Sequence, residues 1–176
     1  MSKDRIPAVE PPLGFHEITR RAPERVTRLA LVNAGGRPGS DEQLAAWQQL
    51  HERVEEGEFA QVVGEISVAN LPEQRRTDTA LIARLAQMAR DVGRLGLLRQ
   101  LDAQRTRPDS RRFLDRITCT TLVVSGSEDH VCPPALQREL VDGLPAARLA
   151  TIEGSGHMAP LEAHRELAAL LGEWLD

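Results

Sequence analysis

The chain has 176 residues, of which 41% are hydrophobic and 27% charged, an ordinary composition for one globular domain with a real core. Its formal net charge is −4, and acidic and basic residues are mixed along the chain. A nucleic-acid surface needs a clustered basic face, so we expect no nucleic-acid partner. The two cysteines, Cys119 and Cys132, make neither a disulfide framework nor a metal-ligand spacing.

The N-terminal segment is polar and rich in proline. Residues 1–13 are therefore predicted to be poorly ordered, and Gly14 to Arg21 is predicted to form a short helix. The segment has no apolar core of the kind that a secretory signal peptide carries. No apolar run along the chain approaches the ~18 residues that a membrane span needs. We expect a cytoplasmic protein with no membrane contact.

The middle of the chain has helical patterns and no strand pattern. A strand is predicted before it, at Val26 to Asn33, and a glycine-rich loop follows at Ala34 to Ser40. Ser40 and Gln43 have the spacing of a capping box, and Thr77 is a second candidate N-cap. Three apolar faces at helical spacing follow: Leu44, Trp47, Leu50 and Val54; Leu81, Ile82, Leu85, Met88 and Ala89; and Leu95, Leu97, Leu98 and Leu101. Residues 34–112 are predicted to form a helical subdomain.

The C-terminal third alternates strands and helices. Thr120 to Val124 reads T-T-L-V-V, which is typical of a parallel strand buried on both faces. A helix is predicted from Pro133-Pro134, a strand at Arg148 to Glu153, and a last helix at Leu161 to Leu175. The inward faces of the two helices are predicted to be Leu136, Leu140 and Val141 in the first, and Leu167, Leu170, Leu171, Trp174 and Leu175 in the second. This order predicts a parallel βαβ unit followed by a helix.

A carboxylate and an imidazole follow the two strands of this unit. Asp129 comes after the first strand and His157 after the second. A right-handed crossover puts both strand ends at one edge of the sheet, where ligand sites of α/β proteins gather. An aspartate bonded to one ring nitrogen would leave the other free to act as a general base. On spacing alone, a surface histidine and an aspartate in an Asx turn remain open.

Two motifs around these residues resemble the C-terminal half of the α/β-hydrolase fold family. Thr120 to Pro134 reads T-T-L-V-V-S-G-S-E-D-H-V-C-P-P, and Ile152 to Glu162 reads I-E-G-S-G-H-M-A-P-L-E. Upstream, R-R-A-P-E-R-V-T-R-L-A-L-V-N-A is similar to the end of the helix behind the nucleophile and the strand after it. The resemblance extends over about Gly14 to Asp176 and implies that the middle helices are the cap. It also implies that Asp129 is the triad acid, that His157 is the base, and that no cofactor or metal is needed.

The sequence departs from the family where the nucleophile should be. The family carries it in a G-x-S-x-G elbow, whereas this chain reads A-V-E-P-P-L-G-F-H-E-I there, with no Ser, Asp or Cys in the elbow position. The strands and the oxyanion-hole loop that precede the elbow also have no counterpart. The predicted fold is a partial α/β-hydrolase fold: about three parallel strands from 14–33 and 113–176, flanked by helices, with a cap at 34–112.

Other reactive side chains have simpler interpretations. Ser155 shares the loop of His157 but has no strained turn to present it, and a loop hydrogen bond is the simpler role. We expect Ser125 and Ser127 to shape the turn before Asp129, and Cys132 to be a buried, inert thiol. Core packing is expected for Cys119, Trp47 and Trp174, and exposed positions without metal binding are expected for His16, His51, His130 and His164.

The resemblance therefore implies a truncated α/β-hydrolase of small ester or lactone substrates, and the missing elbow predicts that this chain lacks a nucleophile and is inactive alone. Two alternatives stay open: a non-catalytic module that binds a small molecule or a protein, and a hydrolase that takes its nucleophile from a partner chain. The strand at Val26 to Asn33 would lack one neighbour, which predicts self-association through the open sheet edge.

Overall fold

In the part of the chain that the structure describes, three parallel strands form one sheet. The structure is a computed structural model that describes Thr19 and residues 21–176. The strands lie in the order β1-β2-β3, and their bounds are Arg28–Val32 for β1, Thr120–Gly126 for β2 and Ala147–Ile152 for β3. In the register, Leu31 pairs with Val123, which pairs with Leu149. The predicted partial α/β fold is confirmed, with strand ends shifted by one or two residues.

Helices cover both faces of the sheet. Successive side chains of β2 alternate between them, so Val123 faces one layer and Leu122 and Val124 face the other. On the first face, Val123 packs with Leu140 of α4 (Pro134–Gly143). On the second, Leu122 and Val124 pack with residues of α6 (His164–Leu175), which follows the one-turn α5 (Ala159–Glu162). All three β2 side chains are fully buried, as a parallel strand between two layers requires.

A helical segment connects β1 to β2. Its helices are α1 (Asp41–Glu55), α2 (Phe59–Ala69) and α3 (Thr79–Arg105), with short 3-10 turns at Glu73–Arg75 and Arg111–Arg116; a further 3-10 turn, Pro23–Arg25, precedes β1. The predicted capping box of Ser40 and Gln43 begins α1, with both of its hydrogen bonds formed. The three helices share a buried cluster: Val54, Val62, Val63, Ala86, Leu97 and Leu101. The division into core and cap at 34–112 stays a prediction.

Local details of the helical predictions were wrong. Asp78, and not Thr77, caps α3, because its carboxylate accepts the N–H of Leu81. The two helices predicted here are confirmed, by contrast, because the backbone of α3 breaks between them at Gly93, where a φ of 77° and a ψ of 170° are not helical. The helix predicted from Leu161 begins earlier and is interrupted at Ala163, whose φ of −138° is not helical.

Some side chains predicted to face inward are exposed. Met88 and Leu95 of α3 are 46% and 64% exposed, and they flank the bend at Gly93, where the helix changes direction and takes them away from the core. Leu175, at 58%, belongs to the last turn of the chain, beyond the sheet contacts. His51 was predicted to be exposed but is half-buried between the carboxylates of Glu55 and Asp102, 3.5 and 3.4 Å away.

One edge of the sheet is formed by β1 and the other by β3. Within the described residues, β1 has β2 as a neighbour on one side and no strand on the other. Self-association through this edge stays a prediction, which sedimentation over a range of protein concentrations would test.

The helix predicted at Gly14 to Arg21 lies almost wholly outside the described residues, and residues 1–13 and His16 lie outside them. No helix within residues 21–176 is long and apolar enough to cross a membrane.

Replacing Leu140 by Ala should destabilise the fold by about 2–5 kcal/mol, because this fully buried side chain fills the contact between α4 and the sheet. Leu95→Ala is the matched control, and its exposed side chain should change the free energy of unfolding by less than ~0.5 kcal/mol. Urea unfolding measures both. Equal losses for the two variants would contradict this packing.

Candidate active site

Asp129 lies in the turn that follows β2, and only 1% of its surface is exposed. One carboxylate oxygen, Oδ1, accepts the backbone N–H groups of Val131 and Cys132 at 2.9 and 2.8 Å. These bonds are those of an Asx turn, which was the simpler interpretation of this residue. They occupy only one oxygen, so Oδ2 remains available to a second partner.

That second partner is His157, in the loop after β3. Its Nδ1 lies 3.0 Å from Oδ2 of Asp129, and its side chain is 28% exposed, while that of Asp129 is fully buried. In a neutral ring whose Nδ1–H donates to the carboxylate, Nε2 carries the lone pair. The sheet therefore brings together the two residues that the sequence placed at successive strand ends. The arrangement can do general acid–base chemistry at Nε2.

Local hydrogen bonds fix the loop that carries His157. Gly154 has a φ of 72°, which favours glycine, and its N–H donates to Oγ of Ser127 at 2.8 Å. The carboxylate of Glu162 accepts the N–H groups of Gly156 and Met158, each at 2.8 Å. We did not assign Glu162 a role from the sequence, although its place five residues after His157 in the quoted motif was the available signal.

The helical segment packs directly against this loop. A Cβ on Gly156 would lie 2.5 Å from Cδ of Pro72, so only glycine allows this approach without a shift. Next to it, an apolar cluster joins the helical segment to the loop and to α5: Leu71, Leu81 and Leu85 from the segment, with Met158 and Leu161. Gln74 adds a bond from its Nε2 to the carbonyl of Gly154 at 3.2 Å. No sequence pattern indicated the contact made by Pro72, because this contact depends on the tertiary fold.

The serines near the dyad are engaged elsewhere. Oγ of Ser155 and Oγ of Ser125 each donate to the carbonyl of the next residue at 3.4 Å, and both side chains are buried. Ser127 accepts from Gly154. None of the three has a hydrogen bond to the ring of His157, so none is placed as its nucleophile.

The other singled-out residues lie away from the dyad. His130 and His164 are exposed, Trp47 and Trp174 pack partly buried against separate apolar clusters, and Cys119 is half-buried beside the core before β2. Across the part of the chain that the structure describes, no group of three or more His, Cys, Asp or Glu residues could hold a metal ion.

The order of the elements and of the two side chains now allows comparison with known proteins. A profile of the alpha/beta hydrolase family matches residues 8–170, which is most of the chain. The chain belongs to the alpha/beta hydrolase family. This alpha/beta hydrolase resembles in structure a thermophilic esterase from Thermogutta terrifontis, with a TM-score of 0.82 and 25% identity over 92% of this chain. It also shares its fold with the enol-lactonase of Burkholderia xenovorans LB400, with a TM-score of 0.78 and 20% identity over 91% of this chain.

Curated relatives match shorter stretches of this alpha/beta hydrolase. A proline iminopeptidase of Lactobacillus helveticus is 38% identical over 63 residues, 36% of this chain and 21% of the relative. Rhodomycin D methylesterase of Streptomyces sp. strain C5 is 41% identical over 58 residues, 33% of this chain and 20% of the relative. The matched part is thus about a fifth of each of these relatives, and 60% of the two solved structures.

Cys132 is confirmed as a buried thiol, and its ionisation follows from its surroundings. Burial, and then the negative charge of Asp129, raises the pKa of Cys132 to about 12. The neutral thiol is therefore the form present near neutral pH, and it is a poor nucleophile. Its contribution to stability is complete below the ordinary thiol pKa of 9.0 and is lost as the pH rises toward 12, because the unfolded chain ionises first.

Alkylation should distinguish the two cysteines. In the native protein at a pH just below the ordinary thiol pKa, iodoacetamide should modify half-buried Cys119 and leave Cys132 unmodified, as read by mass spectrometry of peptides. In denaturant, which is the control, both should react at similar rates. Rapid labelling of Cys132 in the native protein would show that this site is open or its thiol ionised.

Proposed function

We propose that this chain carries the acid and the base of a hydrolase site that cleaves esters and related acyl bonds of small molecules. The observation that carries the proposal is the 3.0 Å contact of His157 Nδ1 with the buried Oδ2 of Asp129, at the carboxyl edge of a parallel sheet. A buried aspartate that accepts a hydrogen bond from a partly exposed histidine at such an edge suits a catalytic role better than a purely structural one, because no described residue bonds to the second ring nitrogen.

The chemistry follows from the roles of the two ring nitrogens. Asp129 holds Nδ1–H and stabilises the imidazolium, while Nε2 of His157 takes the proton of a hydroxyl nucleophile as its oxygen attacks the ester carbonyl. The imidazolium then gives this proton to the departing alkoxide, and an acyl-enzyme ester remains. Water, deprotonated by the same nitrogen, cleaves that ester to release the acid and the free hydroxyl.

The names of similar proteins support the choice of bond. The relatives that match at 38 and 41% identity are a proline iminopeptidase and a methylesterase, and the structure at 25% identity is an esterase. All three names denote cleavage at a carbonyl carbon. We choose esters because two of the three are esterases, and the same dyad chemistry serves lactones, in which the ester is cyclic.

The helical segment is proposed to act as the cap of this site. Pro72 approaches the His157 loop at Gly156, and Leu71 packs near Met158 within the shared apolar cluster. Side chains from this segment would therefore form one wall around a substrate bound at Nε2. In this proposal the cap, and not the dyad, selects the substrate.

The nucleophile is proposed to come from a strand–turn–helix segment outside the described residues. The described serines near His157 do not bond to its ring, and the thiol of Cys132 is neutral and buried. The free edge of β1 lies in the same sheet as the dyad and is the place where a further strand can pair. Such a strand, from this polypeptide or a partner, would present its nucleophile at the same carboxyl edge.

Mixing experiments test the proposal. The chain alone should hydrolyse short p-nitrophenyl esters at the background rate, and turnover should appear when it is mixed with the part of the Thermogutta terrifontis esterase that has no counterpart in this chain. That turnover should fall about 10²–10⁴-fold in His157→Ala, because the base is gone, and should also fall in Asp129→Asn.

The control for these variants is His164→Ala, which removes an exposed imidazole on α6 and should leave turnover unchanged. Turnover that survives His157→Ala would contradict the proposal, as would a mixed complex that forms without turnover. Ester binding that is indifferent to both Asp129→Asn and His157→Ala would favour a binding module instead.

A further inference from the structure

Asn33 lies at the end of β1 in a backbone conformation that few residues adopt. Its φ is 49°, and among the described residues it is the only one other than glycine with a positive φ. Asparagine tolerates this region better than most side chains. Its own N–H still donates to the carbonyl of Val124 at 2.9 Å, so the ladder between β1 and β2 continues through it. The side chain is buried, with 6% of the residue exposed.

The side-chain amide of Asn33 makes three hydrogen bonds, one to the end of β2 and two to the loop that follows β3. Oδ1 accepts the N–H of Gly126, the last residue of β2, at 2.8 Å. Nδ2 donates to the carbonyls of Gly156 and His157 at 2.9 and 3.0 Å. One side chain therefore ties the ends of β1 and β2 to the loop that follows β3.

These bonds hold the backbone of His157 itself. Glu162 accepts the N–H groups on either side of His157, but it lies only five residues further along, at the end of α5, so its contact is local. Asn33 lies 124 residues away from His157 in sequence and belongs to the sheet. Its two bonds therefore attach the backbone at His157 to the same sheet that positions Asp129.

The neighbouring glycine shows how closely the loop is held. A Cβ on Gly126 would lie 2.7 Å from the carbonyl oxygen of Gly156 and would also collide with that of Ser155. The loop backbone thus rests against the end of β2, where Gly126 also gives its N–H to Asn33. Just beyond, Glu128 N–H donates to the carbonyl of Ser155 at 2.9 Å.

We propose that Asn33 is a positioning residue for His157, which sets the height of the histidine above the sheet so that Nδ1 meets Asp129. The proposal rests on the proposed function of the dyad. The bond between Nδ1 and Oδ2 is 3.0 Å long, and a displacement of about 1 Å takes such a bond beyond effective length. The two hydrogen bonds from Asn33 to the loop carbonyls restrain this displacement. Without them, the ring of His157 can move away from Asp129 and bond to other groups.

Two variants separate the side chain from the backbone conformation. Asn33→Gly removes the amide while glycine accepts a φ of 49° without strain. Asn33→Asp keeps an acceptor for Gly126 N–H but turns an oxygen toward the carbonyls of Gly156 and His157, where the donor was. Thr121→Val is the matched control, because it removes another buried bond of the sheet, from Thr121 Oγ1 to Cys119 carbonyl, at the opposite end of β2.

The readout is the tautomer of His157, followed by ¹⁵N NMR of the labelled imidazole at a pH where the ring is neutral. Wild type and Thr121→Val should show the single Nδ1–H tautomer that a bond to Asp129 selects. Asn33→Gly and Asn33→Asp should lose it and show an average of both tautomers. A general loss of stability would not change the tautomer in the molecules that remain folded.

The outcomes are distinguishable. Wild-type ring signals in Asn33→Gly would overturn the inference and leave the dyad intact. An averaged tautomer in the wild type itself would instead remove the dyad and the proposed function with it. If neither Asn33 variant folds while Thr121→Val does, the inference is also overturned, since the whole sheet and not His157 then depends on Asn33.

Discussion

The carboxylate of Asp129 makes three hydrogen bonds where almost no water reaches it: two from backbone amides and one from the ring of His157. An unpaired carboxylate at this buried position would lower the free energy of unfolding by several kcal/mol, so the fold depends on these partners. The turn after β2 supplies the two amides, and the loop after β3 supplies the imidazole. The rest of the structure holds that turn and that loop in their relative positions.

The sheet contributes most to the relative positions of this turn and this loop. Its three strands are parallel, so their carboxyl ends meet at one edge, and the side chains of β2 fill both apolar layers. At the edge itself the loop is held from several sides: Asn33 binds its carbonyls, Glu162 binds its amides and Pro72 packs against its glycine. The helical segment and the end of β1 thus both contact the loop that carries His157, and these contacts restrain its position.

Local patterns in the sequence were sufficient for the three strands, for most of the helices and for the dyad, whereas α2 (Phe59–Ala69) was not predicted. The β-branched run at Thr120 predicted a buried strand, the spacing of Ser40 and Gln43 predicted a capping box, and the order of two strand ends placed Asp129 near His157. The resemblance to a fold family then gave these residues roles.

Features that depend on distant contacts were not predictable in this way. Met88 and Leu95 have the spacing of an apolar face but are exposed, because the direction of the two halves of α3 on either side of Gly93 decides which side chains reach the core. The half-buried His51 and the bonds of Asn33 each join segments that are far apart in sequence, and no local period reveals such pairs.

The most direct measurement is a double-mutant cycle on the free energy of unfolding with Asp129→Ala and His157→Ala. Asp129→Ala leaves the amides of Val131 and Cys132 unpaired both with His157 present and with His157 replaced. This cost therefore cancels in the cycle, and the coupling energy reports the contact of the two side chains. The account predicts a coupling of about 0.5–3 kcal/mol in favour of the pair. Additive effects, within about 0.3–0.5 kcal/mol, would contradict it, because the carboxylate and the imidazole would then not act on each other.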